Sequence, residues 1–265
     1  MSAPARTALV TGASAGIGAA FAEHLAAQGF DLLLVARRES RLLELAQRLH
    51  REHATRCEVL VADLQSPEAP AYIIDHAEKL ELPIDVLINN AGLSGKNAFS
   101  DTPWDEIAAE LQVMVTAVTE LTHRAVPGMR ARGWGRIVNL SSLAAFQPPG
   151  ASLLYTGIKS YVLNMSQALD MELKPYGINV TALCPGFTRS EFHDVMGTRD
   201  QANDLPGLLW QDPEAVVREG WKAVMKGQPV CVPGTVNKVL AASMRPVPLR
   251  LQYVLGRNAN PFKQA

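Results

Sequence analysis

Short apolar runs alternate with longer segments of helical period along the whole of this chain. Each run has the length of a buried strand, and each longer segment is long enough to form a helix between two parallel strands. This alternation predicts an α/β fold, with a seven-stranded parallel sheet and helices on both faces. The expected strands lie near residues 7–11, 31–35, 57–61, 84–88, 135–140, 178–183 and 229–232.

The composition is that of an ordinary globular protein, with 48% hydrophobic and 19% charged residues among 265. A single α/β domain reaches about 250 residues, so one domain is expected. The net charge of -1 offers no electrostatic attraction to nucleic acid or to an anionic membrane. The three cysteines are far apart and form no C-x-x-C pair, so no zinc site is indicated and no metal is expected.

The first residues of the chain lead directly into the first expected strand, so we expect no signal peptide or membrane anchor there. No apolar run approaches the ~18 residues that a membrane span needs. These features favour a cytoplasmic enzyme.

A glycine-rich turn, Thr11-Gly-Ala-Ser-Ala-Gly-Ile-Gly18, follows the first strand immediately. Gly12 allows a tight turn, Gly16 lets backbone amides approach a pyrophosphate, and Gly18 lets the next helix pack close to the sheet. The first spacing is wider than in G-x-G-x-x-G, and a purely structural turn is the alternative. A position between a strand and a helix favours a dinucleotide site in a Rossmann-type, doubly wound fold. The expected cofactor contacts here are Gly12, Ser14, Ala15, Gly16, Ile17 and Gly18.

The end of the second strand carries two arginines, Arg37 and Arg38, and no carboxylate before Glu39. A carboxylate at this position would accept hydrogen bonds from the adenosine ribose and repel a 2′-phosphate. A guanidinium instead offers a fork of donors that matches a phosphate. The sequence therefore predicts NADP(H) as the cofactor, with an exposed arginine at a helix start as the alternative.

Tyr155 and Lys159 are separated by one helical turn, so their side chains lie on one face of a helix. The ammonium group can then favour ionisation of the phenol. Ser142 follows the apolar run 136–140 and is expected at the carboxyl end of that strand, the edge at which open α/β sheets bind ligands. Together the three groups suit proton transfer at a carbonyl. The alternative is an ordinary packing residue beside a solvated charge.

The glycine turn, Ser142 and the Tyr155–Lys159 pair occur together with several other motifs, in order along nearly the whole chain. They are Thr11-Gly-x-x-x-Gly-x-Gly18, Asp63, Asn89-Asn-Ala-Gly92, Ser142, Tyr155-x-x-x-Lys159 and Pro185-Gly186. In these motifs the chain resembles the short-chain dehydrogenase/reductases. The segment 35–38 and the tail after Val236 are most similar to NADP-preferring members with a basic, apolar C-terminal extension. The resemblance is specific for fold and cofactor and does not indicate the substrate.

The resemblance implies a role for each of these residues. Tyr155 would be the general acid or base, Ser142 would hold the substrate oxygen, and Lys159 would bind the nicotinamide ribose and stabilise tyrosinate. The reaction would be hydride transfer between nicotinamide and a ketone, an aldehyde or a secondary alcohol. Further implied cofactor contacts are Asp63, Leu64, Asn90, Ala91, Gly92, Pro185, Gly186 and Thr188.

Met114 departs from the family pattern, which usually has an asparagine at this point of the long helix before the fifth strand. In the family that asparagine helps to hold a water that relays protons from the lysine. A thioether accepts hydrogen bonds only weakly and donates none. Two interpretations remain open: an enzyme whose relay uses a backbone carbonyl, or a catalytically weak NADP(H)-binding sensor or scaffold.

The expected domain spans residues 1–235, and within it the connection 187–211 has the length of a lid over the site. Its apolar residues favour a largely apolar, uncharged small-molecule substrate, although they would also suit packing on the body of the protein. The candidate substrate contacts are Leu93, Leu143, Phe146, Phe192, Met196 and Trp210.

Two long helices, near 103–131 and 155–175, are apolar on more than one face, and the sheet covers only one face of each. A partner subunit would cover the rest, so a homodimer or homotetramer is expected; burial under the chain's own C-terminal tail is the alternative. That tail, residues 236–265, mixes apolar residues with arginines. It is expected to pack on the body or on a partner subunit rather than on a membrane, since prolines interrupt its pattern.

Overall fold

The computed structural model describes residues 5–93, 99–146, 153–191, 207–244, 247–248, 250–251 and 253–254. All seven expected strands are present, and they form one parallel sheet. The strands are β1 (Thr7–Thr11), β2 (Asp31–Ala36), β3 (Cys57–Val61), β4 (Ile84–Asn89), β5 (Gly135–Leu140), β6 (Ile178–Leu183) and β7 (Val230–Cys231). Their positions confirm the prediction from the apolar runs.

Helices occupy the segments between the strands. They are α1 (Gly16–Ala26), α2 (Glu39–His53), α3 (Ala69–Lys79), α4 (Trp104–Leu111), α5 (Ala117–Arg132), α6 (Leu153–Leu173), α7 (Pro213–Met225) and α8 (Thr235–Met244). A π-helical segment, Gln112–Thr116, joins α4 to α5. The long helix predicted near 103–131 is therefore interrupted by one wider turn. Within the described ranges, no helix is long and apolar enough to cross a membrane.

Alternate residues of the central strands enter two separate hydrophobic cores, because successive side chains point to opposite faces of a sheet. In β1, Ala8 and Val10 pack with α1, α2 and α7, whereas Leu9 packs with α3, α5 and α6. All three residues are fully buried. A strand that is buried on both faces must be apolar at almost every position, which explains why these strands appear in the sequence as continuous apolar runs.

The strand order β3-β2-β1-β4-β5-β6-β7 makes this a single doubly wound, Rossmann-type domain with helices on both faces. β1 pairs with β2 on one side and with β4 on the other, so the chain changes its winding direction there and opens a crevice at the carboxyl edge. All seven strands point their carboxyl ends to that edge. Loops that follow different strands are consequently brought together although they are far apart in sequence.

Candidate active site

The glycine turn between β1 and α1 leaves the first N–H groups of the helix without a side-chain cap. Gly12 and Gly16 have φ angles of +65° and +56°, in the left-handed region that favours glycine. α1 begins at Gly16 after Ala15, no side chain caps it, and its first turn holds no acidic residue. Because helix N-termini attract anions through free N–H groups and the helix dipole, this turn fits the pyrophosphate of a dinucleotide.

Asn90 and Thr11 hold the glycine turn in place. The Asn90 amide donates to the carbonyl oxygens of Thr11 and Gly12, at 2.9 and 3.2 Å. The Thr11 hydroxyl accepts from the backbone N–H groups of Asn90 and Ala91, at 3.0 and 3.1 Å. A Cβ atom on Gly18 would lie 2.5 Å from the Asn90 amide nitrogen, so only glycine fits there. Asn90 therefore supports the turn through its side chain.

The two arginines after β2 have different surroundings. Arg38 donates to the Ser14 hydroxyl from Nε and Nη2, at 3.2 and 3.0 Å, and to Glu191 from Nη1, at 2.8 Å. Arg37 is exposed, and no hydrogen bond or ion pair engages its side chain within the part of the chain that the structure describes. The guanidinium of Arg37 is thus available to a phosphate, whereas that of Arg38 already bridges two side chains.

The candidates after β3 and β4 lie at the same edge of the sheet. Asp63 is exposed, and its carboxylate accepts from the backbone N–H of Gln65 at 3.0 Å. Leu64 beside it is buried, and Gly92 after β4 is exposed. An exposed carboxylate next to a buried leucine suits the polar edge and the apolar face of an adenine ring.

The loop after β6 is closely packed around Gly186. A Cβ atom on Gly186 would lie 2.7 Å from the side chain of Asn237, so the backbone of this loop approaches α8 closely. Thr188 is buried, and its hydroxyl donates to the Gly186 carbonyl at 3.1 Å. The Pro185 carbonyl accepts from the Leu143 N–H at 2.9 Å. This last bond ties the loop after β6 to the segment after β5.

Ser142, Tyr155 and Lys159 come together at the carboxyl end of β5. A hydrogen bond joins the side chains of Tyr155 and Ser142. Lys159 Nζ lies 5.4 Å from the centroid of the Tyr155 ring and donates to the Leu140 carbonyl oxygen at 2.7 Å. The structure therefore places the lysine against the phenol ring, and the last carbonyl of β5 holds it there.

Burial governs the protonation of both residues. It raises the pKa of Tyr155; the hydrogen bond with Ser142 opposes this rise and the Glu110 carboxylate adds to it. Burial lowers the pKa of Lys159 from 10.5 to about 8, although the nearby Cys184 and Glu110 side chains oppose this fall. The direction at Tyr155 differs from the expectation that Lys159 would favour the ionised phenol. The reason is that removal of the ring from water penalises the phenolate, and this effect is larger than that of the Ser142 hydrogen bond, which lowers the pKa.

Two residues that the sequence analysis did not single out support this cluster. The Ser141 hydroxyl donates to the Lys159 carbonyl at 2.8 Å and so ties α6 to β5. Glu110 is buried near the end of α4, close enough to Tyr155 and Lys159 to change the pKa of both. The available signal for Glu110 was its helical spacing, since it shares the buried face of α4 with Ile107.

Met114 lies in the π-helical segment and is only 1% exposed. Its sulfur faces the loop after β4, where a Cβ atom on Gly92 would lie 3.5 Å from Sδ. The backbone N–H of Ala117 bonds to the carbonyl of Gln112, five residues earlier rather than four. Wider turns of this kind frequently occur at functional sites.

Three of the substrate-contact candidates flank the cluster. Leu143 is buried directly after Ser142, whereas Leu93 and Phe146 are partly exposed at the same edge. Phe146 packs with the small apolar cluster beneath β6. Within the described ranges, no group of histidine, cysteine, aspartate and glutamate side chains is arranged to hold a metal ion.

The other substrate-contact candidates belong to the predicted lid, 187–211. Trp210 packs against Phe187, with ring centroids 5.8 Å apart. Phe192 and Met196 lie outside the described residues, as does most of the predicted lid. Their place in the substrate site stays a prediction.

A family model described as short chain dehydrogenase matches residues 6–201 of this chain. Among curated proteins, oxidoreductase UcpA of Escherichia coli strain K12 is 33% identical over 224 residues, which are 83% of this chain and 80% of that protein.

Two solved structures are similar over almost the whole chain. A short-chain dehydrogenase from Sphingobium yanoikuyae in complex with NADPH has 32% identity and a TM-score of 0.81, and the match covers 98% of each chain. The bulky-bulky ketone specific alcohol dehydrogenase from Comamonas testosteroni, in its orthorhombic crystal, has 30% identity and a TM-score of 0.77, covering 98% of this chain and 97% of that one.

Proposed function

The chain belongs to the short-chain dehydrogenase family, and from that premise we propose that it is an NADP(H)-dependent oxidoreductase of ketones, aldehydes or secondary alcohols. The observation that carries this proposal is the joint position of Ser142, Tyr155 and Lys159 at the sheet edge that also holds the glycine turn. One edge then offers both a dinucleotide site and a proton donor.

The cofactor would be held along the carboxyl edge of the sheet. The uncapped N–H groups of α1 suit its pyrophosphate, and the exposed guanidinium of Arg37 suits a 2′-phosphate. Asp63 and Leu64 would border the adenine. When bound, NADPH supplies the hydride. The similar Sphingobium dehydrogenase was solved with NADPH, which supports the same choice here.

Tyr155 would deliver the proton to the carbonyl oxygen during reduction. Its raised pKa keeps the phenol protonated and ready to donate. Ser142, already hydrogen-bonded to the phenol, would hold the substrate oxygen in line with it. Lys159, held by the Leu140 carbonyl, would stabilise the tyrosinate that forms.

Reprotonation of the site would depend on the π-helical segment 112–116. Met114 has no amide to hold a relay water. Its segment is π-helical, with the Ala117 N–H bonded to the Gln112 carbonyl five residues earlier. We place the relay on a backbone carbonyl of this segment, which would accept a hydrogen bond from the water in place of the usual asparagine.

The substrate is proposed to be largely apolar and uncharged. Leu93, Leu143 and Phe146 would line the approach to Ser142. The similar Comamonas protein is described as a bulky-bulky ketone specific alcohol dehydrogenase, which supports an apolar ketone as substrate. Oxidation of NADPH should therefore be measured against a panel of ketones and aldehydes that includes bulky apolar, small and anionic members. Turnover of bulky apolar ketones in preference to anionic ones is expected. A preference for anionic substrates would contradict the apolar site.

The cofactor preference is tested by Arg37→Ala. We expect this variant to lose NADPH affinity at least about tenfold and to keep its NADH affinity, because only NADPH carries the 2′-phosphate. Arg51→Ala removes an exposed arginine from α2 and serves as the matched control. Equal use of both cofactors by the wild type would contradict the proposed preference.

A second candidate function follows from Met114 alone. If the relay fails, the protein would bind NADP(H) as a sensor or scaffold with little turnover. Titration of NADPH against tryptophan fluorescence measures binding independently of chemistry. Tight binding without turnover across the whole panel would favour this candidate over the enzyme.

A further inference from the structure

Residues 187–191, hereafter the strap, run from the loop after β6 towards α2. Backbone hydrogen bonds fasten their first part to Gln211: its N–H donates to the Phe187 carbonyl, and its carbonyl accepts from the Arg189 N–H, both at 2.9 Å. The amide of Asn237 in turn donates to the Gln211 side chain at 2.8 Å. The start of the strap is therefore tied to the body of the domain.

The strap then crosses the glycine turn. A Cβ atom on Gly16 would lie 2.9 Å from Cβ of Ser190, so the strap rests directly on the glycine that opens α1. Gly16 also marks the uncapped N–H groups to which a pyrophosphate would bind. The strap and the cofactor's phosphates thus share one narrow space above the turn.

Ion pairs hold the far end of the strap. The Glu191 carboxylate accepts from Arg38 Nη1 at 2.8 Å and from Arg41 Nη1 at 2.6 and 2.7 Å. Arg38 in turn donates to the Ser14 hydroxyl inside the glycine turn. One carboxylate therefore joins the strap, α2 and the turn, and the two guanidinium groups keep the Glu191 pKa below its usual value.

We infer that Glu191 is a positioning residue of the cofactor site, which fastens the strap across the glycine turn through Arg38 and Arg41 and so slows release of the bound dinucleotide. The inference rests on the proposed use of NADP(H). Ion pairs this exposed are individually weak, but here one carboxylate engages two guanidinium groups, and such networks are stronger than isolated pairs. Loss of its charge should loosen the strap without unfolding the domain.

Glu191→Gln tests this inference. The rate constant for NADPH dissociation, measured by stopped-flow displacement with excess NADP⁺, should rise about fivefold or more, and that for NADH should rise by the same factor. Both cofactors are expected to respond alike because both carry the pyrophosphate over which the strap would lie. The unfolding midpoint should stay unchanged. Glu58→Gln, which breaks the exposed pair with Arg56 at the amino-terminal end of β3, should leave both rates unaltered.

A second variant tests whether the ion pairs of Glu191, rather than another effect of this residue, hold the strap. Arg41→Gln should also speed NADPH release, and it should add nothing in the Glu191→Gln background, because both changes break the same contact. Unchanged release in Glu191→Gln, or additive effects of the two changes, would overturn the inference. Slower release would overturn it too, since Glu191 would then compete with the 2′-phosphate. Failure of the wild type to bind NADPH would instead overturn the cofactor proposal and this inference together.

Discussion

Lys159 combines a positive charge with almost complete burial, at 7% exposure. Its pKa of about 8 follows from that burial, and the Leu140 carbonyl accepts a hydrogen bond from its Nζ at 2.7 Å. A neutral amine would neither hold the tyrosinate nor pass on a proton. The state of this one residue therefore sets the pH range in which the proposed chemistry can work.

Tyr155→Phe should reduce NADPH-dependent turnover by at least about 100-fold, because it removes the proton donor and leaves the ring. NADPH affinity should be unchanged, since the glycine turn and Arg37 are untouched. Steady-state rates and a fluorescence titration on the same preparation measure the two effects. Tyr72→Phe, an exposed tyrosine of α3, is the control. Substantial turnover in Tyr155→Phe would contradict the proposed role of Tyr155 as the proton donor.

Turnover should fall as the pH rises through about 8, because Lys159 then loses its charge. Glu110 contributes a negative charge that raises the Lys159 pKa, so Glu110→Gln should move this decline to lower pH. The profile of kcat/KM for NADPH-dependent reduction, recorded on both sides of pH 8, measures the shift.

Glu106→Gln, an exposed acid on the same helix, should leave that profile in place. A general loss of stability in Glu110→Gln would lower the rates without moving the decline along the pH axis. A decline at the same pH in the variant and the wild type would mean that Glu110 does not act on Lys159.

At the scale of elements, the close approach of α1 to the sheet depends on Gly18. A Cβ atom there would lie 2.3 Å from the Gly12 carbonyl oxygen, which is backbone and cannot rotate away. The same contact positions the first turn of α1 over the carboxyl end of β1. The close contact at Gly18 therefore determines both the packing of α1 and the shape of the candidate dinucleotide site.

Gly18→Ala should lower the free energy of unfolding by about 1–3 kcal/mol and reduce NADPH affinity at least about tenfold, because the turn must open to admit the methyl group. Urea unfolding and NADPH titration measure the two losses. Gly29→Ala is the matched control: its φ is +80° but a Cβ atom there would meet nothing within 4 Å. That variant should lose stability through backbone strain and keep its NADPH affinity.

At the scale of the whole molecule, α6 carries an exposed stripe at helical spacing. Tyr161 is 40% exposed and Met171 is 77% exposed, and Asn164 and Ala168 between them are exposed as well. An exposed tyrosine and methionine on one face of a helix suit a surface that another molecule covers. A second copy of the chain is the cover that we predict.

Light scattering coupled to size-exclusion chromatography should give a mass of at least two chains for the wild type. Met171→Glu should lower that mass, because it places a charge on the proposed contact. Met225→Glu, at the end of α7 and 44% exposed, should leave the mass unchanged. A wild-type mass of one chain would favour the alternative, in which the chain's own C-terminal tail covers α6.

Local patterns in the sequence were sufficient to predict the strands, the glycine turn and the pairing of Tyr155 with Lys159. Each depends on residues within a few positions of one another, and the period of a strand or helix converts that spacing directly into geometry. The carboxyl-edge position of Ser142 followed as well, because every strand of a parallel sheet points the same way.

Only the tertiary structure decided the contacts between distant segments. Glu191 meets Arg38 across 153 positions, and nothing near either residue indicates the other. The raised pKa of Tyr155 likewise depends on how many separate segments exclude water from one ring. The sequence by itself determined the fold and the set of reactive groups, because these follow from local periodicity. The protonation of these groups and the position of the strap were decided by the tertiary structure. Both depend on packing between segments that are far apart in the sequence.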